Sequence, residues 1–295
     1  MKITFLGTSA MLPTKERNPS SIFIEYGKEG ILIDCGEGTQ RQMRIKGIKP
    51  TKISKLLITH FHGDHVLGIP GLMQSLGASE YQKTLEIYGP EKSSTYIKSM
   101  LKGFAFKGKI KYKVQELKNS SKFFSNDDFI LYCKGLKHDI PCLAYSLIEK
   151  DKLKINIDYT KKFGLTKHPL LGKLQKGKSI TYQGKKIDVK KATIKKPGKK
   201  ISIILDTSPD KSIEKFVLNS DLLICDSTWS SDTINRRGSH MTNLDAANIA
   251  KKSKSKKLIL THFSQRYKTV NELLKESKKV FKETLAAEDL MEINV

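Results

Sequence analysis

Short apolar runs recur along the chain and predict a series of β-strands. Several of these runs are continuously apolar, which is typical of strands that are covered on both faces. They read KITFLGT, SIFIEY, GILIDCG, KLLITH, LEIYG, FILYCKGLKH, AYSLIE, ISIILDT, DLLICDST and KLILTHF. Segments with helical spacing lie between them at Gly68 to Leu76, Asn243 to Lys252 and Val270 to Phe281. The alternation favours an α/β fold in which helices cover sheets.

Two of these runs resemble each other. Residues 55–61 read KLLITHF and residues 257–263 read KLILTHF, so each predicted strand leads into a histidine, His60 or His262. The carboxyl ends of strands are where α/β proteins usually place their sites. The echo predicts two related halves, and chance similarity between two strands rich in Leu and Ile is the alternative.

The composition indicates a globular protein with a polyanionic partner. The 295 residues are 38% apolar, which is adequate for a buried core. The 54 Lys and Arg against 30 Asp and Glu give a formal charge of +24, far more than solubility requires. No apolar run reaches the roughly 20 residues of a membrane-spanning helix, and the amino-terminal MKITFLGTSAMLP is unlike a signal peptide. We therefore expect a soluble, cytoplasmic protein with no membrane partner.

The four cysteines support the same location. Each lies singly in apolar surroundings, and none forms a C-x-x-C pair with another. Such residues are typical of buried thiols in a reducing compartment rather than of disulfides or a thiolate zinc site. They are Cys35, Cys133, Cys142 and Cys225.

Residues 150–196 differ from the rest of the chain. They hold 15 lysines and 3 aspartates, which is half of the formal charge in under a sixth of the length. Four glycines and Pro169 interrupt the segment. We interpret it as an inserted arm, and a solvated lysine-rich excursion without function is the alternative.

A cluster of metal-binding side chains follows the KLLIT strand. His60, His62, Asp64 and His65 lie within six residues of a chain that has only seven histidines. Neutral imidazoles bind transition metals and carboxylates complete or bridge such sites, so the cluster can present ligands in two directions. Gly63 allows the tight turn that brings these neighbours together. The cluster therefore predicts a metal site with room for two ions.

The spacing of this cluster resembles the signature of the metallo-β-lactamase superfamily. The resemblance implies that residues 1–295 form one domain, a four-layer αβ/βα sandwich, with two Zn²⁺ per subunit or Mn²⁺ in their place. It also implies ligands at the ends of later strands, where this chain has His138, Asp206 and His262. By this analogy one zinc is held by His60, His62 and His138 and the other by Asp64, His65 and His262, with Asp206 as the bridge.

Four further stretches resemble the ribonuclease Z family, whose members remove the 3′ trailer of precursor tRNA. They read FLGTSAMLPTKERNPSS, DCGEGTQRQM, GDHVLGIPGL and THFSQRY. With the metal ligands, the resemblance covers nearly the whole chain. It implies a zinc-dependent endoribonuclease that leaves a 3′-hydroxyl on the tRNA and a 5′-phosphate on the trailer, and it implies a homodimer.

The resemblance also implies residues that bind the substrate. PTKERN resembles the family's basic substrate loop, and SQRY offers donors that suit a phosphate; a charged turn and a structural arginine are the alternatives. The arm lies where the family carries a flexible exosite for the tRNA body, although GLTKHPLLGK replaces the usual Gly-Pro tip. The predicted substrate-binding residues are Lys15, Arg17, Asn18, Ser264, Arg266, Lys161, Lys162, Lys167 and Lys173.

The predicted catalytic residues are Asp64, Asp226 and His240. The family usually has His-Glu-Ala-Thr where this chain has CDST at residues 225–228, so the carboxylate is one methylene shorter. We expect Asp226 to orient His240, which would protonate the departing ribose 3′ oxygen. Asp64 is expected to be a ligand and a possible general base. A helix cap at 239–242 with a surface histidine is the alternative.

Two other functions stay open at this point. A superfamily relative that hydrolyses a small phosphodiester or ester would have no use for the arm. A non-catalytic RNA-binding relative would be expected to have lost metal ligands, whereas this chain retains each of them.

Overall fold

The computed structural model describes residues 1–105, 110–233 and 239–295. The chain divides into two compact units. The first unit comprises Met1–Phe124, Leu131–Leu147 and Lys200–Val295, and the second comprises Ser125–Ile130 and Ile148–Lys199. The predicted arm therefore falls inside the second unit.

A first sheet of seven strands is built mainly from the amino-terminal part of the chain. Its order is β20-β1-β3-β4-β5-β6-β7, with parallel pairing from β4 to β7. The outer strand β20 comes from the carboxyl-terminal end and pairs antiparallel with β1. The strands are β1 (Lys2–Gly7), β3 (Ser21–Tyr26), β4 (Glu29–Ile33), β5 (Ile53–Leu57), β6 (Thr84–Gly89), β7 (Lys111–Glu116) and β20 (Glu292–Asn294).

A second sheet of seven strands is built from later residues, in the order β19-β17-β16-β15-β10-β9-β8. Its strands are β8 (Ser121–Ser125), β9 (Phe129–Leu136), β10 (Cys142–Glu149), β15 (Lys200–Ile204), β16 (Leu222–Asp226), β17 (Leu258–Thr261) and β19 (Thr284–Ala286). Strands β15, β16, β17 and β19 are parallel, so their carboxyl ends meet at one edge. A short parallel pair joins β2 (Ser9–Ala10) to β18 (Phe263–Ser264).

Helices cover both sheets. Met43, Leu72 and Ile97 place three helices in one apolar core with the first sheet, and Ile213 and Leu273 place two more in a core with the second sheet. The helices of the first unit are α1 (Thr39–Ile45), α2 (Gly63–Val66), α3 (Ile69–Ala78), α4 (Ser93–Lys102), α8 (Lys211–Phe216), α9 (Asn243–Lys252) and α10 (Asn271–Val280), with a 3₁₀ turn at Pro50–Lys52. Two sheets layered with helices confirm the predicted α/β class.

The two sheets are joined next to the histidine cluster. Tyr145 Oη donates a hydrogen bond to the Ile58 carbonyl at 2.6 Å, and Leu143 N donates to the Thr59 carbonyl at 2.9 Å. Both acceptors belong to the segment that leads from β5 into His60. Strand β10 of the second sheet thus fixes the position at which the first histidine leaves the first sheet.

The second unit has a small core of its own. Leu165, Leu174, Ile180, Ile187 and Ala192 are buried together. The remaining elements are β11 (Lys152–Ile155), α5 (Ile157–Lys161), α6 (Leu171–Gln175), β12 (Ile180–Tyr182), β13 (Lys185–Ile187), α7 (Val189–Ala192) and β14 (Thr193–Lys196). Strands β11 and β14 pair antiparallel, with Lys152 opposite Lys196. The function of this unit as an arm stays a prediction.

Two further observations concern the helices and the cysteines. Among the described residues, none of the helices has both the length and the apolarity that crossing a membrane requires. All four cysteines are buried and unpaired.

Candidate metal centre

Most of the predicted metal ligands lie just beyond a strand, and the others lie in the turn and the short helix that follow β5. His60 follows β5, and Asp64 and His65 lie in α2; His138 follows β9 and Asp206 follows β15. The fold therefore assembles residues that are far apart in sequence at neighbouring strand ends.

Two of these ligands have unusual backbone conformations. His262, which follows β17, has a φ of 60°, and Asp206 has a φ of 32°. Non-glycine residues rarely adopt positive φ values, and such residues concentrate at functional sites.

The first group of ligands, which we call the His138 site, comprises His60, His62 and His138. Nε2 of His60 and Nε2 of His138 each lie 3.1 Å from Nδ1 of His62. Asp206 Oδ2 lies 3.6 Å from His60 Nε2. Burial and the neighbouring imidazoles lower the pKa of His60 and of His138, so these rings are neutral, as metal ligands must be.

The second group, which we call the His262 site, comprises Asp64, His65 and His262. Nε2 of His65 lies 3.2 Å from Nε2 of His262, and Asp64 Oδ2 lies 3.5 Å from each of these nitrogens. Asp206 Oδ1 lies 3.4 Å from His65 Nε2 and 3.2 Å from His262 Nε2. Asp206 therefore contacts both sites. Burial would lower the pKa of His262, but Asp206 and the other carboxylates raise it to about 10.

The hydrogen bonds behind the rings show which ring atoms face the centre. His65 Nδ1 donates to Asp34 Oδ2 at 2.7 Å, and His138 Nδ1 donates to the Ser239 carbonyl at 3.2 Å. The opposite nitrogen, Nε2, then faces the centre in both rings, and it offers a lone pair to a metal when its ring is neutral. Among the described residues, no donor satisfies Asp206 Oδ1, although this atom is buried. Ligands about 2.0 to 2.1 Å from a tetrahedral ion lie roughly 3.3 Å apart, so the residues fit a divalent metal.

Asp34 is a supporting residue that the sequence interpretation did not single out. Besides His65, this fully buried carboxylate accepts hydrogen bonds from Thr59 N and Thr59 Oγ1, both at 2.7 Å. A carboxylate behind a ligating imidazole fixes the ring and makes it more basic. Its position at the end of β4, in ILIDCG, was the available signal.

Thr228 supports His262 in a similar way. Its Oγ1 lies 2.9 Å from His262 Nδ1 and donates to Asp226 Oδ1 at 2.6 Å. Asp226 is fully buried and also accepts a hydrogen bond from Met241 N at 3.0 Å. The CDST stretch thus contributes two residues to this side of the centre.

The structure brings the predicted proton donor and its carboxylate together. His240 Nδ1 lies 3.5 Å from Asp226 Oδ2 and 3.7 Å from Asp206 Oδ2. Burial lowers the pKa of His240, but the hydrogen bond and charge of Asp226 outweigh burial and raise it above 6.5. The expected helix cap is also present, because Thr242 accepts from Asp245 N at the start of α9. The cap belongs to the alternative interpretation, but His240 is only partly exposed and lines the pocket, unlike the surface histidine of that alternative; its catalytic role stays a prediction.

A pocket of about 680 Å³ opens at the predicted metal ligands. Ser264 and Arg266 line it, together with His240. The Arg266 guanidinium lies over the indole ring of Trp229, with Cζ 4.4 Å from the ring centroid. Exposed apolar side chains also line the pocket, namely Met11, Leu12 and Leu67.

The predicted substrate loop has three predicted substrate-binding residues, and two of them already contact other parts of the protein. Arg17 Nη2 donates to the Tyr267 carbonyl, and Asn18 Nδ2 donates to the Glu37 carbonyl at 2.5 Å. Lys15 is exposed. The substrate contacts of these residues stay a prediction.

The same loop is anchored from both ends. Met11 N, just before the loop, donates to Asp64 Oδ2 at 2.8 Å, which ties the loop to a predicted metal ligand. Asp289 accepts hydrogen bonds from Asn18 N at 2.7 Å and from Thr8 Oγ1 and Gln42 Nε2, both at 2.8 Å. Asp289 therefore joins the carboxyl-terminal segment to the loop.

The four predicted lysines of the arm lie in the second unit, and all of them are exposed. They are Lys161, Lys162, Lys167 and Lys173. Their side chains are accessible to a polyanion, and their role stays a prediction.

Comparisons with known proteins agree with this architecture. A family model described as Anti-Pycsar protein Apyc1 matches residues 1–160. Over 309 residues the chain is 35% identical to a ribonuclease Z from Streptococcus uberis, and the match covers 100% of both chains. The crystal structure of human tRNase Z, short form, has a TM-score of 0.73 at 28% identity and covers 100% of this chain and 99% of that one.

The fold itself has a further match. The metallo-beta-lactamase fold protein YhfI from Bacillus subtilis superposes with a TM-score of 0.72 at 20% identity, and the match covers 99% of this chain and 98% of that one. The predicted sandwich fold is therefore confirmed.

Proposed function

The chain belongs to the ribonuclease Z family and, over residues 1–160, to the family described as Anti-Pycsar protein Apyc1, and we propose that it removes the 3′ trailer from precursor tRNA. It is a metal-dependent endoribonuclease by this proposal, and it leaves a 3′-hydroxyl on the tRNA and a 5′-phosphate on the trailer. One observation carries the proposal: the ligands of both sites converge on Asp206, in a chain that matches a ribonuclease Z over its full length. Asp206 and His262 lie outside residues 1–160, so the match over the full length is the more informative one.

We propose two Zn²⁺ as the cofactors, with Mn²⁺ as the alternative. The His138 site and the His262 site would each hold one ion, and Asp206 would bridge them. When bound, such ions polarise a phosphoryl oxygen and provide a nucleophilic water at neutral pH. The distances between the ligand atoms support both positions.

His240 is the proposed proton donor to the departing ribose 3′ oxygen. Asp226 holds its Nδ1, so Nε2 is the atom that would give up the proton. Asp64 is the proposed ligand and possible general base, and the Met11 amide fixes its Oδ2. A His240→Ala variant should lose about 10² to 10⁴ in kcat with its metal content unchanged. Asp226→Asn should lose less, because the imidazole is still present.

Precursor tRNA is the proposed partner, bound at two places. Ser264 and Arg266 would bind phosphate in the pocket, with Lys15, Arg17 and Asn18 beside it. The exposed lysines of the second unit would bind the tRNA backbone, where phosphate contacts add affinity without reading bases. We also propose a homodimer and a cytoplasmic location, on the family resemblance and on the unpaired thiols.

The decisive experiment uses a tRNA transcript with a 3′ extension. The purified protein is incubated with it, with and without a chelator, and the cut is mapped to the nucleotide. Cleavage at the 3′ end of the tRNA body that the chelator abolishes supports the proposal. An intact transcript, or scattered cleavage that is insensitive to the chelator, contradicts it.

A second experiment separates this function from hydrolysis of a small phosphodiester. Because Lys152 pairs with Lys196, residues 153–195 can be replaced by a two-residue Asn-Gly turn. Cleavage of precursor tRNA should then fall steeply, while hydrolysis of a small chromogenic phosphodiester should persist. Equal rates on precursor tRNA with and without the arm would favour the small-substrate enzyme.

A matched variant keeps the arm and removes only charge. Lys161, Lys162, Lys167 and Lys173 are changed together to glutamine. The salt dependence of tRNA binding should become shallower by up to about four units of slope, roughly one for each lost phosphate contact. An unchanged slope would show that these lysines do not contact the RNA.

A further inference from the structure

Trp229 is the only tryptophan of the chain, and it lies at the proposed reaction site. The residue is 6% exposed and lines the same pocket as His240 and Arg266. The Arg266 guanidinium lies 4.4 Å over the indole ring. Arg266 itself is exposed, and it makes no hydrogen bond or ion pair with any residue that the structure describes. The stack is therefore the contact that orients this side chain.

We propose that Trp229 is a positioning residue that orients Arg266 for the phosphate of the substrate. A guanidinium that lies flat on an aromatic face keeps its N–H donors free at the edge, and that edge matches phosphate geometry. An unstacked arginine would sample many rotamers and lose conformational entropy when it binds. This inference rests on the proposed function, because it gives Arg266 the phosphate as its ligand.

The backbone around Trp229 fixes the ring. Trp229 N donates to the Met241 carbonyl at 3.2 Å, and Asn243 N donates to the Trp229 carbonyl at 3.0 Å. These contacts form a parallel bridge with the segment that directly follows His240. The indole also lies edge to face with His240, with ring centroids 6.4 Å apart. Trp229 is thus held against the segment of the proposed proton donor while its face supports the arginine.

The choice of an indole is informative in itself. Trp229 Nε1 is buried and has no hydrogen-bond partner among the described residues. A buried indole N–H normally finds a partner, so a residue selected only for packing would be better served by phenylalanine. Tryptophan offers the strongest cation–π surface of the aromatic residues. The unpaired N–H is therefore explained if the site requires the indole face to support the Arg266 guanidinium.

The first test measures whether Arg266 stacks on Trp229 in solution, and it does not depend on enzyme activity. Trp229 provides the whole tryptophan emission of the holoenzyme, so its spectrum reports on the group above the ring. Arg266→Gln should change the intensity or wavelength of this emission. Lys268→Gln, which removes an exposed cation two residues away, is the matched control and should leave it unchanged. An emission spectrum that Arg266→Gln does not alter would overturn the proposal.

The second test is a double-mutant cycle on cleavage of precursor tRNA. Trp229→Leu should lower kcat/KM by about 2-fold to 30-fold, the range that a cation–π contact provides. Trp229→Phe should restore part of this loss, because it retains an aromatic face. In the Arg266→Gln background, Trp229→Leu should cost nothing further, because its contribution passes through Arg266. Additive losses would overturn the proposal.

The design separates folding and function from the inference. Thermal melting of each variant shows whether it is folded. If Trp229→Leu does not fold, the double-mutant cycle is repeated with Trp229→Phe in its place. If the wild-type protein fails to cleave precursor tRNA, the proposed function fails. The emission test still shows whether Arg266 stacks on Trp229 in solution. Titration with inorganic phosphate then tests whether Arg266 binds phosphate: phosphate should alter the emission of the wild type and not that of Arg266→Gln. Equal responses in both proteins would contradict the inference.

Discussion

The two groups of predicted metal ligands are supported in different ways. In the His138 site, the atoms behind the rings belong to neutral groups, the Thr59 hydroxyl at 3.0 Å from His60 Nδ1 and the Ser239 carbonyl at 3.2 Å from His138 Nδ1. In the His262 site, Asp34 lies directly behind His65. His62 and His138 are partly exposed, whereas His65 is fully buried.

This difference predicts that the two sites differ in their affinity for a metal ion. A carboxylate behind an imidazole raises its basicity as a ligand, and burial restricts the access of water and chelators to the ion. The His262 site should therefore retain its ion more tightly, and the His138 site should exchange its ion first. The comparison teaches that residues outside the ligand set distinguish two sites whose ligands look alike in the sequence.

The largest effect is expected at the residue that the two sites share. Asp206→Asn replaces the proposed charged bridge by a neutral amide, so both proposed sites lose a ligand charge and activity should fall about thousandfold or more. The measurement is kcat on a 3′-extended tRNA together with metal content. A variant that keeps two ions and normal activity would show that Asp206 does not join the sites.

The next effect separates the two sites. His138→Ala should retain about one ion per chain after dialysis against a weak chelator, because the His262 site is intact. His262→Ala should retain none, because the remaining His138 site exchanges readily. Elemental analysis of the dialysed proteins gives both values. The reverse order of retention would contradict the comparison.

A smaller effect is expected from the carboxylate behind His65. Asp34→Asn keeps the shape of the side chain and removes its charge, so the affinity of the His262 site should fall about 10-fold to 100-fold. Competition with a fluorescent zinc chelator measures it. Affinity at the His138 site should fall less, because Asp34 reaches His60 only through the Thr59 hydroxyl.

The smallest effect is expected at Thr228. Thr228→Val removes the hydroxyl beside His262 Nδ1 and should weaken the His262 site about 2-fold to 10-fold, the range of one net hydrogen bond. Thr284→Val, which removes a buried hydroxyl in β19, is the matched control in the same competition assay. Equal effects of the two substitutions would show that Thr228 does not support the ligand.

Part of the clustered His/Asp set could be singled out from the sequence because these side chains are chemically conspicuous, whereas His138 and Asp206 were singled out through the family resemblance. His60, His62, Asp64 and His65 crowd one turn, and His262 repeats the strand context of His60. Helix α9 has the predicted bounds, since asparagine follows a capping threonine and the helix ends in two lysines. Predictions of this kind depend on local patterns, which the chain displays directly.

The supporting residues were less predictable because their roles arise only in three dimensions. Asp34 is 31 residues from His65, and a strand-end aspartate is usually a turn residue. In the sequence, Trp229 cannot be distinguished from a core aromatic residue. Only the structure shows that Arg266 lies over its ring. The arm at residues 150–196 was inferred from its charge and stays a prediction, whereas the small core of the second unit, with Leu165 and Ile187, follows no strong period in so short a segment.

Strand β20 and the nearby Asp289 are synthesised last, so the loop near Asp64 can take its final position only late in synthesis. Residues 292–294 complete a sheet whose first strand is made almost the whole chain earlier, a delay of about 15 to 60 s at usual translation rates. Asp289, which anchors the loop at Asn18, emerges in the same late interval. A chain that has been made as far as His262 therefore contains every predicted metal ligand and still lacks the anchor of this loop, which comes only with Asp289.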